Sequence, residues 1–456
     1  MNAAPLNNLR HYFESGATKS YSFRKDQLKK LKQAVLKYEY KLYDALRTDL
    51  KKSPEESWVT ELGMVIAEIN VAIKELRKWM KPNRAGTNLL NFPSVSYVMN
   101  EPMGVVMIIA PWNYPFQLLI NPLVGAIAAG NCVVLKASEF APATDAVMKK
   151  MIEETFPKEY ILYAQGEGAQ IVPQLMNQFR FDFVFYTGST AVGKIIYKMA
   201  AEKLIPVTLE LGGKSPCVVE RDANIKVAAQ RIGITKFSAA GQMCVAPDYI
   251  LVHESVKEKF INALRKAILI FFSEKPEQDY NYCKIINEKQ FNRLISYLKD
   301  GTIVYGGRTD KEKLFIEPTI LENIAMDSPV MKEEIFGPIL PVISFKTMEE
   351  AKLIILKNPN PLSFYIYTSS RKKEKEWLSV IPAGGACINN SSWHLTNHHL
   401  PFGGRGLSGI GYYHGKYSFD TFSHKKAVMK TPTWFNPKIK YPPFKGKLKI
   451  FKWIIK

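Results

Sequence analysis

Long apolar runs are missing from this chain. No stretch reaches the roughly 18 to 20 apolar residues that a bilayer-spanning helix requires, and the opening MNAAPLNNLRHYFESG has no apolar segment of the kind a secretory leader carries. The expectation is a cytoplasmic protein that is at most peripheral at a membrane surface. Cysteine is sparse: Cys132, Cys217, Cys244, Cys283 and Cys387 form an odd, scattered set without a CxxC pair, which argues against a disulfide framework or a zinc site and for a reducing compartment. No metal site is expected. Internal repeats and low-complexity tracts are absent as well. Acidic residues stop at Asp420 and ten lysines follow, in a chain whose formal net charge is +20. Such a balance brings acidic partners into view: membrane lipid, nucleic acid or a phosphorylated ligand. The 456 residues are otherwise ordinary, 46% hydrophobic and 23% charged, which excludes a disordered or fibrous protein. At roughly 100 to 200 residues per domain, two to four domains are expected.

Leu28, Leu31, Val35, Tyr38 and Leu42 recur at helical spacing among charged residues, so the region 20 to 80 reads as surface helix. Beyond residue 104 the texture becomes short apolar runs separated by helical stretches: VVMIIA (105 to 110), CVVLKAS (132 to 138), YILYAQG (160 to 166), FDFVFYTG (181 to 188) and IPVTLELGG (205 to 213). Near-continuous apolar runs recurring in this way are the pattern of buried parallel strands joined by crossover helices, an open α/β sheet. A second series, with YILVH (249 to 253), ILPVISF (339 to 345) and FYIYT (364 to 368), reads as another α/β domain. Between the opening helices and the first strand, the partly alternating segment 86 to 104 suggests an extended, hairpin-like arm suited to assembly.

The common dinucleotide fingerprint G-x-G-x-x-G is also missing: the nearest match, Gly166 to Ile171, ends in Ile where the third Gly should stand. Gly188 to Lys194 follows a strand and matches GxxxxGK, but Ile195 replaces the hydroxyl that a phosphate loop needs for Mg²⁺. A strand, a Gly-Ser-Thr turn and a helix N-terminus still form a seat for pyrophosphate, although an ordinary βα turn has the same pattern. Lys136 and Glu139 end the strand CVVLK, where open parallel sheets bind ligands, and are suited to ribose hydroxyls or phosphate. Cys244 sits in GQMCVAP between a Gly and a Pro, a turn at a helix end where a thiol is reachable, although free cysteines are more often buried small hydrophobes. Glu210 stands in LELGGK (209 to 214), a charge set inside an otherwise apolar strand and followed by a Gly pair, where a carboxylate is costly unless used or paired. Asn113 lies between Pro111 and Pro115, a rigid loop whose amide is the kind of donor that stabilises an oxyanion.

Five motifs in order, PWNYP (111 to 115), LELGGKSP (209 to 216), GQMCVAP (241 to 247), EEIFGPILP (333 to 341) and PFGGRGLSGIG (401 to 411), give the chain a resemblance to the NAD(P)-dependent aldehyde dehydrogenase superfamily. YTGSTAVGK, CVAPDYIL, YHGKYSFDTFSH and the late YPP resemble its class 3 and fatty aldehyde dehydrogenase branch. The resemblance implies an α/β fold with two parallel-sheet domains. The cofactor-binding domain would take residues 1 to 81 and 104 to 209, the catalytic domain 210 to 400, and an oligomerisation arm 82 to 103 and 417 to 441. The implied activity is oxidation of aldehydes, medium- or long-chain aliphatic or aromatic, to carboxylic acids with NAD or NADP, by a homodimer. Cys244 would be the nucleophile, Asn113 the oxyanion donor and Glu210 the base for deacylation. Lys136, Glu139, Gly188, Ser189, Gly193, Glu334 and Phe336 would bind the cofactor, with Glu334 on the nicotinamide ribose and the turn from Gly188 to Gly193 at the pyrophosphate. This family's variant dinucleotide fold lacks G-x-G-x-x-G.

Departures from the family pattern are Ala137 after the cofactor lysine, Met243 before the nucleophile and Asn389-Asn390 where Asn-Asp is common. Gly403, Gly404, Gly406, Gly409 and Gly411 read as turn glycines of the signature. An acylating relative, passing the thioester to another acceptor, would not need Glu210. A basic lipid- or nucleic-acid-binding protein without catalysis would not need Cys244, Glu210 and Asn113 together, and no nucleic-acid partner is expected. The tail 442 to 456, PPFKGKLKIFKWIIK, places Leu448, Phe451 and Ile455 at helical spacing among lysines, as an anionic membrane surface would attract.

Overall fold

The computed structural model describes residues 4–455. Its first sheet has six strands in the order 409–410, 207–210, 183–187, 105–109, 132–136, 161–164. All pair in parallel except the outermost Gly409–Ile410, which runs antiparallel to Val207–Glu210. The five apolar runs expected as buried strands are the five parallel strands, and Val105–Ile109, Cys132–Lys136 and Phe183–Thr187 are buried at every residue. The chain steps outward from Val105–Ile109 to one side, then returns to add Phe183–Thr187 on the other. This reversal opens a crevice beyond the carboxyl ends of the two strands.

The opening helices cover this sheet. Tyr21–Leu50 starts at Ser20, whose Oγ accepts from the N–H of Phe23 at 3.1 Å, and turns the leucine and valine face anticipated from its spacing into the core. Gln117–Ala129 is buried along its full length between sheet and outer helices. The second sheet has seven strands in the order 302–305, 319–322, 339–345, 249–253, 216–219, 363–367, 385–388 and carries its own apolar core. All but Thr302–Tyr305 pair in parallel.

The excursion at 86 to 104 becomes the strand Val95–Pro102. It pairs locally with the three-residue Asn83–Ala85, but its main partner is Ser423–Lys430, matched along all eight residues. The glycine-rich segment is a set of turns: Gly406 and Gly411 have φ of 60° and 88°. Beyond Lys430 the chain runs over the surface to the helix Leu448–Ile454, where Leu448, Trp453 and Ile455 are exposed. Among the described residues no helix is long and apolar enough to cross a membrane.

Candidate active site

A cavity of about 450 Å³ opens at the crevice of the first sheet. Its walls include seven of the ten residues singled out from sequence: Asn113, Gly188, Ser189, Glu210, Cys244, Glu334 and Phe336. Lys136, Glu139 and Gly193 stand outside it.

Cys244 reaches the cavity on a turn whose backbone is strained. The helix Ile225–Phe237 ends, and Ala239, Ala240 and Gly241 then adopt left-handed φ values of 49°, 50° and 73°. For alanine this conformation costs about 1–2 kcal/mol per residue, and only glycine fits at 241, where a Cβ would lie 2.3 Å from the carbonyl of Gly337. Gln242 holds the turn: its Nε2 donates to the carbonyls of Ala239 and Lys284, both at 3.0 Å, and its Oε1 accepts from the N–H of Ile286 at 3.0 Å. A bond from Ala246 N–H to the Met243 carbonyl then presents the half-buried thiol of Cys244. Burial, with the carboxyls of Glu334 and Glu210 nearby, pushes that thiol well above its ordinary pKa. It therefore needs a proton acceptor before it can attack.

Asn113 is 2% exposed on the loop after Val105–Ile109. Its Nδ2 donates to the carbonyl of Gln242 at 3.0 Å, tying the loop to the turn that carries the thiol. This uses one of the two amide hydrogens, and Oδ1 is buried without a partner.

Glu210 is 3% exposed, and neither carboxyl oxygen has a hydrogen-bond partner among the described residues. Its backbone is fixed: Glu210 faces Thr187 on one side and Gly409 on the other, and its carbonyl accepts from Gly188 N–H at 3.0 Å. Burial alone raises its pKa well above the carboxylate range. Such a group is ready to exchange a proton with whatever enters the cavity.

The opposite wall is built by the segment 330 to 336. Lys214 bonds to Asp248 and donates to the carbonyls of Val330 at 2.8 Å and Glu333 at 2.9 Å, while Asp248 accepts from the N–H of Ile335 at 2.9 Å. Burial and Asp248 push Glu334 up to about 8. Gly212 leaves room for this carboxyl, whose present position a Cβ there would displace. Phe336 meets Trp112 edge-on, ring centres 5.4 Å apart.

Features on the sheet side suit a dinucleotide. Ser189 caps the helix Thr190–Glu202, so the first-turn N–H groups and the helix dipole face the cavity. Thr187 Oγ1 beside them is buried without a partner. Gly193 lets the helix lie against Leu211, where a Cβ would come within 2.6 Å. Two strands over, Lys136 Nζ donates to Glu139 Oε2 at 3.1 Å, and Glu139 Oε1 accepts from the N–H of Gly168 at 2.9 Å. Burial acts to raise the Glu139 pKa, but its own amide, Gly168 N–H and Lys136 outweigh this and hold it below the ordinary value. The residues present fit NAD or NADP.

Sequence reading missed Lys52, Glu61, Arg293 and Tyr413. Arg293 donates to the carbonyls of Glu334 at 3.2 Å and Ile335 at 2.8 Å, and Tyr413 lines the cavity. Gln242 lay inside a recognised motif, whereas a lysine and a glutamate in a charged helical stretch carry no local sign of burial.

A reachable thiol, an oxyanion-type amide and an unpaired carboxyl around a dinucleotide crevice define a thiol-dependent oxidoreductase of the α/β class. Residues 7–428 match the aldehyde dehydrogenase family. The chain is 47% identical over 443 residues to 4,4'-diaponeurosporen-aldehyde dehydrogenase of Staphylococcus aureus, covering 97% of this chain and 96% of that one. It is 41% identical to aldehyde dehydrogenase family 3 member H1 of Arabidopsis thaliana, covering 99% and 94%. A solved structure of Staphylococcus aureus AldH in a substrate-bound state superposes with a TM-score of 0.98 at 46% identity over 100% of both chains. The chain belongs to the aldehyde dehydrogenase family. It is an NAD(P)-dependent enzyme that oxidises aldehydes to carboxylic acids.

Proposed function

We propose that Cys244, Asn113 and Glu210 carry this oxidation on a medium- or long-chain aliphatic or aromatic aldehyde. Cys244 gives its thiol proton to a water in the cavity and adds through sulfur to the carbonyl carbon, opening the C=O bond to an oxyanion that is met by the free amide hydrogen of Asn113 and the backbone N–H of Cys244. NAD or NADP held in the crevice would supply the hydride acceptor that conversion of the thiohemiacetal into a thioester requires. Glu210 takes a proton from the water that attacks the thioester, which releases the acid and restores the thiol. Gly188, Ser189 and Gly193 would hold the pyrophosphate at the helix N-terminus, Lys136 and Glu139 the adenosine ribose, and Glu334 with Phe336 the nicotinamide end. The observation that carries this reading is the Glu210 carboxyl, buried beside the Cys244 cavity with both oxygens unpartnered. It favours hydrolysis over transfer of the acyl group to another acceptor. Apolar substrates are favoured by Leu118, Leu362, Phe402 and Tyr413 on the cavity wall, and by the name of the Staphylococcus aureus relative. The test is Glu210→Gln in rapid mixing with long-chain and aromatic aldehydes. A burst of reduced cofactor followed by slow turnover, with an acyl adduct on Cys244 in the intact mass, is expected; full steady-state turnover without an adduct refutes the assignment.

We further propose a homodimer built on the three-stranded arm, in the cytoplasm, and attachment of the tail 442 to 456 to an anionic membrane surface. The exposed Leu448, Trp453 and Ile455 among Lys445, Lys447, Lys449 and Lys452 support the attachment, each lysine near anionic lipid contributing about 1 kcal/mol. Deleting 442 to 456 should abolish co-sedimentation with anionic vesicles, and high salt should weaken that of the full chain. Equal sedimentation of both forms would rule the tail out.

A further inference from the structure

The segment 52 to 61, which runs from Lys52 through the helical Pro54–Ser57 into the π-helical Trp58–Leu62, lies outside the catalytic set, yet it touches both loops that frame the thiol. Lys52 and Glu61 are fully buried and paired at 2.5 Å. Lys52 Nζ also donates to the carbonyl of Asn113 at 3.0 Å and lies 3.9 Å from the centre of the Tyr114 ring. The second oxygen of Glu61 accepts from the N–H of Phe116 at 3.0 Å and of Gln117 at 2.9 Å. One ion pair thus fixes the Asn113 loop at 113, 116 and 117. The same segment reaches the thiol loop through Glu56, whose Oε1 accepts from Ala239 N–H at 3.0 Å, at the first left-handed residue. Cys283 donates its S–H to the other oxygen, 3.3 Å away.

A buried ion pair gives little net stability against an apolar replacement, so its presence here has to be explained by what it holds. What it holds is the backbone that carries the side-chain amide of Asn113, and that amide must lie within hydrogen-bond reach of an oxygen that exists only during the reaction; misplacement by about 1 Å costs on the order of 10²-fold in rate. We propose that Lys52 and Glu61, with Glu56 on the second arm, are positioning residues that set the Asn113 amide against the Cys244 turn and so shape the oxyanion site. This rests on the roles assigned above to Asn113 and Cys244. Their effect should fall on kcat, since the cofactor seat and the apolar wall are built from other segments.

The decisive comparison is Lys52→Met alone and in an Asn113→Ala background, with aldehyde oxidation and reduced-cofactor binding measured on each. If Lys52 acts through Asn113, Lys52→Met lowers kcat about 10- to 100-fold with KM and cofactor affinity held within about threefold. The double variant then loses no more than Asn113→Ala alone. Equal loss from Lys52→Met in both backgrounds, or kcat within twofold of wild type, overturns the proposal. An Asn113→Ala enzyme of full activity would instead overturn the role of Asn113 itself. Should Lys52→Met fail to fold, Lys52→Met/Glu61→Leu removes both charges without leaving one unpaired and carries the same comparison. For the second arm, Glu56→Gln keeps the shape of the acceptor and should leave alkylation of Cys244 by iodoacetamide within twofold of wild type, while Glu56→Ala should change it severalfold. Identical rates in all three proteins would exclude that arm.

Discussion

Three of the carboxyl groups buried on the first-sheet half of the molecule, Glu61, Glu68 and Glu210, have surroundings that differ in a graded way. Glu61 has a lysine and two backbone N–H groups. Glu68 has the N–H of Gly415 at 2.7 Å and the Ser418 hydroxyl at 3.3 Å, but no cation. Glu210 has nothing. Burial acts to raise the pKa of all three, as it does for any desolvated acid. The difference lies in how much of that cost the surroundings offset. A fold seeking only stability would satisfy each of them, so the one left bare marks where chemistry needs an uncommitted oxygen.

Removing the sulfur is the most severe way to break this comparison. Cys244→Ala should abolish aldehyde oxidation while cofactor titration by fluorescence shows unchanged binding; activity within twofold of wild type would leave the bare carboxyl without a covalent intermediate to serve. Glu210→Gln should lower turnover by roughly 10² to 10⁴. The same substitution should raise thermal stability, because a neutral amide is cheaper to bury than an unpaired acid. A coincident loss of activity and of melting temperature would place Glu210 with the structural carboxyls. Glu61→Leu should shift stability the other way, destabilising by about 3–5 kcal/mol in urea unfolding because Lys52 is left buried and unpaired.

Glu68 supplies the smallest and most graded effect. Burial pushes it up to about 7, above the 4.5 of an exposed glutamate. The folded state therefore favours the protonated acid. Its contribution to stability is fully present below about pH 4.5 and is lost as the pH rises through about 7. Glu68→Gln should accordingly raise the melting temperature more at pH 8 than at pH 5. An equal shift at both values would mean that Glu68 is ionised throughout.

Much of this was legible in the chain. The five parallel strands were visible because their apolar runs are buried on both faces and do not alternate. Seven of the ten site residues meet at one cavity because strand ends and the turns after them are where this architecture opens. Lys52 and Glu61 were illegible for an opposite reason. Their neighbours are charged, and burial arises only when the loop from 113 to 117 folds over them. The strand partner of Val95–Pro102 was hidden from the local pattern, which cannot announce a pairing with Ser423–Lys430, and only the family resemblance grouped the two segments in one arm. The strained alanines at 239 and 240 carry no signal of their own, because alanine gives no hint of a left-handed backbone.

The short strand Gly409–Ile410 has a consequence for how the enzyme comes into being. It closes the side of the sheet next to Glu210, yet it is synthesised long after that glutamate. The thiol loop and the strand bearing the carboxyl are synthesised long before it. Contacts so far apart in sequence form late, and a growing chain folds from its N-terminal side first. Until residues 409 and 410 arrive, one flank of Glu210 stands open to water and the acid is neither desolvated nor aligned. The late pairing of 409 and 410 thus also arms the site, and a chain interrupted before it carries a cysteine without the partner that would complete its turnover.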